Sequence, residues 1–387
     1  MAKGSTVQLQ FHDFQDPTTG ARVTRLTPLA VPCHRNYFYQ KCFSNDGGKL
    51  LFGAWFDTNR NCYLLDLKTQ VARQITEGSG DNTFGCFLSP DDKYLFYVKD
   101  SRELRRVDLD SLEEKVVYTV PAGYKGYGTW VANSACTKLV GIEVVESDMS
   151  PLTSWQAFRD QFFRNPRCRL IVIDIASATS RVILEQAKWM GHPIYRPFDD
   201  NTIGYCHEGP HDLVDARMWL INEDGSNIRK LRDQQPGEIC THEFWVPDGS
   251  KMMYVMYKKG GPERWICTAD PVTLKNEEVL TMPPCSHLYS NYHGTLAVGD
   301  GSDTPLDIED AAAHAHDNDP FIYLFDLQKK ETHRVCAHST SWKTYRENNQ
   351  VTHPHPSFTP DEKRVLFTSD FEGEPAVYLA DLPSLAA

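Results

Sequence analysis

Phe87-Leu-Ser-Pro-Asp-Asp-Lys-Tyr-Leu-Phe96 decides the fold. An aromatic strand end runs into a Pro/Asp turn, and the turn releases an apolar strand. The pattern recurs on both sides of this stretch. Phe43-Ser-Asn-Asp-Gly-Gly-Lys-Leu-Leu-Phe52 precedes it, and Phe244-Trp-Val-Pro-Asp-Gly-Ser-Lys-Met-Met-Tyr254 and Phe358-Thr-Pro-Asp-Glu-Lys-Arg-Val-Leu-Phe367 follow. Weaker copies occupy 131–142, 195–205 and 288–298. Each copy is trailed by an apolar strand that ends in Asp or Asn, as in Tyr63-Leu-Leu-Asp-Leu67 and Ile322-Tyr-Leu-Phe-Asp-Leu327. Most then carry one further strand, such as Ala72-Arg-Gln-Ile-Thr76. The result is seven units of about 50 residues, the period of four-stranded propeller blades.

The last unit stops after Leu382, before its outermost strand, while Ala21-Arg-Val-Thr-Arg-Leu-Thr27 matches the outer strand of the first unit. Pairing the two chain ends would close the ring and remove an exposed sheet edge. The chain is therefore expected to be all-β, one seven-bladed β-propeller over residues 1–387, closed by its N-terminal strand. A sandwich, or two separate β domains, leaves the repeat alignment unexplained. Two insertions interrupt the blades, at about 148–167 and 302–320. The first predicts a short amphipathic helix capped by Ser154; the second is acidic. Insertions of this kind cover one end of a propeller.

A formal net charge of −12 over 387 residues argues against a nucleic-acid surface and requires a local positive site for any anionic ligand. No run has the length of a signal peptide core or a membrane span. Nothing singles out a protein partner. The 11 cysteines are scattered without C-x-x-C pairs, so neither a disulfide framework nor a zinc ribbon is indicated, and a reducing cytoplasm is the simplest location.

Anchoring the repeats on the turn proline brings histidines into register. His242 lies five residues before Pro247, His355 five before Pro360, and His287 five before Tyr292, which replaces the proline. Three consecutive blades thus carry histidine where the chain joins its innermost strand, at the mouth of the central channel. Gln350 and His353 stand beside the third. Prolines 354 and 356 favour an extended segment, which would place His353 and His355 on one face. Neutral imidazoles and an amide oxygen suit Mn²⁺, Fe²⁺, Co²⁺, Ni²⁺ or Zn²⁺, and the donor set does not choose among them.

His207-Glu-Gly-Pro-His211 fits the H-E-x-x-H pattern of metalloproteases, but that motif works only on a helix, which Gly209-Pro210 disfavours. The same loop leads to Arg217, either a surface ion pair or an anion clamp at the channel mouth. G-x-S-x-G, Walker and Rossmann glycine motifs are all missing from the sequence.

Several longer stretches resemble the oligogalacturonate lyase family. They are Cys33-His-Arg-Asn-Tyr-Phe-Tyr-Gln-Lys-Cys42, Lys125-Gly-Tyr-Gly-Thr-Trp130, Gly191-His-Pro-Ile-Tyr-Arg-Pro-Phe-Asp-Asp200 and Cys206-His-Glu-Gly-Pro-His-Asp-Leu-Val-Asp-Ala-Arg217. Thr241-His-Glu-Phe-Trp245, Pro284-Cys-Ser-His287 and Gln350-Val-Thr-His-Pro-His-Pro-Ser-Phe358 complete the set. The similarity spans essentially the full length. It implies a cytoplasmic, Mn²⁺-dependent propeller lyase of pectin breakdown that acts on short galacturonate oligomers. It also implies metal ligands at His287, Gln350, His353 and His355, a catalytic base at His242, and a substrate-carboxylate arginine at Arg217.

The implied reaction is β-elimination. The proton on C5 is only weakly acidic beside an ionised carboxylate, so cationic groups must stabilise the enolate-like intermediate. No residue stands out as the acid for the departing oxygen. Tyr195, Arg196 and His211 are further candidates for binding the sugar. A non-catalytic sugar- or partner-binding propeller is the alternative; so is a metal-dependent propeller lactonase or hydrolase, for which carboxylate ligands would be expected.

Overall fold

The turns determine where strands end, and the strands then add outward from a central axis. In the computed structural model the described residues are 1–152, 154–261, 263–285, 287–301, 319–346 and 350–384. Their strands form seven antiparallel sheets, arranged as a seven-bladed β-propeller. Blade two shows the plan: Phe87–Leu88 innermost, then Tyr94–Lys99, Glu103–Asp108 and Glu114–Thr119 outward. The middle strands are apolar on both faces, as expected where neighbouring blades pack face to face. Leu50, Leu51 and Phe52 in blade one and Val365, Leu366 and Phe367 in blade seven are all buried.

The ring closes as the sequence suggests. Arg22–Arg25 pairs with Ala376–Asp381, matching Val23 to Ala380 and Arg25 to Tyr378. Two more N-terminal strands were not foreseen. His12–Gln15 adds outside Arg22–Arg25 in blade seven, and Thr6–Gln8 adds outside Val71–Gln74 in blade one. Both of these sheets are consequently five-stranded.

Antiparallel order also fixes which loops share an end. The connection into an innermost strand and the connection between second and third strands emerge on the same side. The insertion after Lys138–Val145 therefore rises on the side of the inner-strand histidines. It contains the helix Trp155–Phe163, whose cap Ser154 accepts from the Ala157 N–H at 3.1 Å. The helix braces the 206–216 loop: Arg159 donates twice to the Asp212 carboxylate, at 3.0 and 3.1 Å. Phe162 lies against Gly209, where a Cβ would approach its ring to 2.3 Å. Most of the second insertion, residues 302–318, lies outside the described residues.

Candidate functional site

In every blade one backbone hydrogen bond closes the turn between the first and second strands, and it gives a common origin. The donors are Ser44, Ser89, Asn133, Arg196, Val246, Asn291 and Thr359. Four residues before each lie Gln40, Gly85, Thr129, His192, His242, His287 and His355. One inner position is thus occupied by histidine in four successive blades. His192 escaped the sequence reading, although it lies five residues before Pro197.

At three of these histidines the backbone is left-handed, with φ of 47° at His192, 54° at His242 and 48° at His355. In blades four and five the strand register slips at the same place, between Gly191 and Ile194 and between Thr241 and Phe244. These are β-bulges, which re-aim a side chain out of the ladder. Left-handed geometry in non-glycine residues costs about 1–3 kcal/mol each and persists where the surroundings enforce it. The 353–356 segment is accordingly not the extended strand that its prolines suggested: the chain turns through left-handed geometry at His355, so simple alternation does not set where the imidazoles point.

Three imidazoles converge. The ligand-capable atoms of His287, His353 and His355 lie within 4.8 Å of one another. Ring centroids are 3.9 Å apart for His287 and His355, and 5.6 Å for His287 and His353. Both nitrogens of the fully buried His355, and Nδ1 of His353, have no hydrogen-bond partner. Burial, reinforced by neighbouring imidazoles, pushes the basicity of His353 and His355 well below the ordinary histidine value. Neutral imidazoles with unshared lone pairs fit a divalent cation.

His287 is set for the same task by Asp300, which sequence reading missed. The Asp300 carboxylate accepts from the His287 backbone N–H and from Nδ1, both at 2.7 Å. That fixes the tautomer and leaves Nε2 as the acceptor, the usual carboxylate–histidine support of a metal site. Gln350 opens the turn into His353, its carbonyl accepting from the His353 N–H at 3.2 Å.

His242 stands beside this cluster, 4.9 Å from His287 between ring centroids. Its Nδ1 pairs with the Thr241 hydroxyl, and burial followed by the surrounding imidazoles keeps it neutral. His211 lies 6.1 Å beyond His242, lowered to about 4 by burial and by Arg217.

Arg217 is not a surface residue. It is 4% exposed, and its Nε donates to Glu243 at 2.7 Å. Glu208 lies 3.6 Å from Nη2, and His192 sits between the two carboxylates at 3.3 Å from each. Burial alone would raise the Glu243 pKa, but Arg217 and His192 overcome it and hold the carboxyl ionised.

Tyr195 and Arg196 are not brought to this pocket. They sit at the opposite end of the blade-four inner strand, where Arg196 Nε donates to the Gly249 carbonyl at 2.7 Å. The H-E-x-x-H residues are also separated. His207 ends a strand against Gln186, and His211 lies in a loop.

Beneath the histidines, the segment from Arg35 to Lys41 leaves blade one and fills the axis. Phe38 packs with Phe244 and Leu288 in the core of blades five and six. The buried Arg35 donates to the His355 carbonyl at 2.6 Å and to Ser357 Oγ at 2.5 Å. Tyr37 lies 5.1 Å from His355 and 5.8 Å from His192, ring to ring. This segment interrupts an inner strand and has no periodicity, so pattern reading gives it no position.

Fold and site together define a propeller with an imidazole-rich, metal-compatible pocket on its axis and a buried arginine at the edge. The profile of the oligogalacturonate lyase family matches residues 1–386, and the chain belongs to that family. It is 61% identical to an oligogalacturonide lyase of Pectobacterium atrosepticum and 60% identical to an oligogalacturonate lyase of Dickeya dadantii, over 99% of each chain. A solved oligogalacturonate lyase in complex with manganese superposes with a TM-score of 0.94 at 62% identity, covering 99% of both chains. The Vibrio parahaemolyticus oligogalacturonate lyase superposes equally well, at 58% identity and the same coverage.

Proposed function

We propose that this protein is a metal-dependent oligogalacturonate lyase. It would cleave di- and oligogalacturonides by β-elimination, releasing 5-dehydro-4-deoxy-D-glucuronate in pectin degradation. The observation that carries this reading is the convergence of His287, His353 and His355, with unpartnered buried nitrogens, beside a neutral His242.

His287, His353, His355 and Gln350 are the residues that would hold the ion, Mn²⁺ being the ion of the solved relative. When bound, it supplies positive charge to the uronate carboxylate and so acidifies the C5 proton. His242 is the base. It acts in the tautomer whose Nδ1–H is donated to Thr241 Oγ1, since that form leaves the Nε2 lone pair to take the proton. The C5–H electron pair becomes the C4–C5 double bond as the C4–O bond breaks, and the departing oxygen is protonated in turn. Arg217 spends Nε and Nη2 on Glu243, which leaves Nη1 as a donor for a substrate carboxylate. His211, 6.1 Å from His242 on the blade-four loop, would touch the sugar.

The chain acts as one propeller domain over 1–387, with the insertion at 148–167 on the pocket side. A reducing cytoplasm suits its 11 unpaired cysteines. No described helix is long and apolar enough to cross a membrane. The test is to strip the protein with chelator, add Mn²⁺ and follow unsaturated product from digalacturonate. Product that appears only with added ion supports the reading; no product from the metal-loaded protein removes it.

A further inference from the structure

The fourth aligned histidine, His192, takes neither the ion nor the proton. It stands in blade four, two blades from His287, with a carboxylate against each ring nitrogen: Glu208 at Nε2 and Glu243 at Nδ1, 3.3 Å in both cases. The blade is shaped around this contact. The bulge after Gly191 and the left-handed backbone at His192 turn the ring out of its strand. Gly191 makes the room, since a Cβ there would approach Glu208 Cγ to 2.6 Å. Glu208 is tied back by its own N–H, which donates to the Trp189 carbonyl at 2.9 Å.

The balance of charge in this corner gives His192 a task. Arg217 spans the same two carboxylates, its Nε 2.7 Å from Glu243 and its Nη2 3.6 Å from Glu208. The other titratable groups that face the corner are neutral. Burial raises the Cys206 thiol and the phenols of Tyr37, Tyr39 and Tyr127 above their ordinary values, and it lowers His211 and His242 below theirs. One guanidinium against two carboxylates leaves one negative charge in excess, beside the place where a uronate carboxylate must approach. An imidazole can donate to carboxylates on both sides only when both nitrogens carry hydrogen, and that form supplies the missing positive charge. His192, Cys206 and Glu243 also have the spacing of a cation site, their ligand-capable atoms lying within 4.8 Å of one another. Arg217 already fills the cation's role there.

We propose that His192 is a positioning residue for the elimination: doubly protonated, it bridges Glu208 and Glu243, offsets the charge that Arg217 alone leaves over, and so keeps the outer edge of Arg217 attractive to a substrate carboxylate. This rests on the lyase reading of the histidine pocket. His192 acts through Arg217 on binding, so its loss falls on KM, whereas loss of the base falls on kcat.

The experiment is a charge cycle in metal-loaded protein, read by steady-state kinetics on digalacturonate. His192→Asn tolerates the left-handed backbone and carries no charge. It is expected to raise KM about tenfold or more while kcat stays within about twofold. Adding Glu208→Gln to that variant removes the excess carboxylate and should bring KM back toward the unsubstituted value, a rescue that a merely structural role for His192 does not give. Glu208→Gln alone should lower KM, because His192 and Arg217 then outnumber Glu243; it carries the test if His192→Asn does not fold, and a KM that fails to drop then overturns the proposal. An unchanged KM in His192→Asn, a double variant no better than the single one, or a second metal ion per chain that His192→Asn removes overturns it as well. Failure of the unsubstituted protein to cleave digalacturonate defeats the lyase reading instead, and calorimetric affinities for digalacturonate across the same variants then decide the role of His192 alone.

Discussion

The two halves of the propeller differ at one ring of positions. Blades four to seven place His192, His242, His287 and His355 there, while blades one to three place Gln40, Gly85 and Thr129 at the matching backbone site. On the first side His355 keeps both nitrogens unpaired and lies, with His242, against His287, while His192 is held between Glu208 and Glu243. On the second the groups satisfy one another: Gln40 Nε2 donates to the carbonyls of Gly85 at 3.0 Å and Trp130 at 3.1 Å, and the Tyr39 hydroxyl pairs with Thr129. A propeller thus offers seven equivalent inner places and is indifferent to what fills them. Chemistry gathers where polar atoms are left without partners, and stability where they are paired.

The sharpest way to break this division is His242→Ala. Turnover of digalacturonate should fall about 10²–10⁴-fold, the typical worth of a general base, while metal content stays unchanged. Loss of metal from that variant would put His242 among the ligands and merge two roles kept apart here. Next comes Asp300→Asn. Weakening the carboxylate that orients His287 should lower metal affinity about 10–100-fold, with activity recovering at saturating Mn²⁺. A direct metal titration checks it.

Gln40→Ala probes the opposite half. It leaves two buried carbonyls unpaired and should cost about 1–3 kcal/mol in denaturant unfolding, with metal affinity at the unsubstituted value. A metal defect there would show that the halves are not separable. The smallest effect concerns His207, which is buried and lowered from 6.5 to about 4, by burial first and the Lys188 charge second. The unfolded chain takes up this proton before the folded one. Its contribution to stability is therefore present above pH 6.5 and is lost as pH falls toward 4. His207→Gln should flatten the acid side of the stability curve by up to one proton, measured as unfolding midpoint against pH.

Which parts of this arrangement sequence reading found, and which it missed, has a common cause. The blades were legible because each turn carries its own Pro, Asp or Gly, and each strand its own apolar run. His242, His287 and His355 fell into register because their turns have one length, with closing bonds from Val246 to Lys251, Asn291 to Leu296 and Thr359 to Arg364. The blade-four copy of the repeat is among the weaker ones and its turn, from Arg196 to Thr202, is one residue longer, so Pro197 does not read as a turn proline and His192, five residues before it, goes unmarked. Asp300 lay hidden because its partner is thirteen residues away across a ladder. The additional strands Thr6–Gln8 and His12–Gln15 are too short and too exposed to leave an apolar pattern.

By itself, then, the amino-acid order determined the repeat, the ring and three of the four aligned histidines, since local turn chemistry and strand alternation act over a few neighbouring residues. Only the closed ring decided that Tyr195 and Arg196 face the far end, that Arg217 is locked to Glu243, and that blade one sends Arg35 to Lys41 through the axis beneath the site. Those outcomes depend on contacts between blades. Such contacts exist only after the two ends of the chain have met, and no short window of sequence contains both partners.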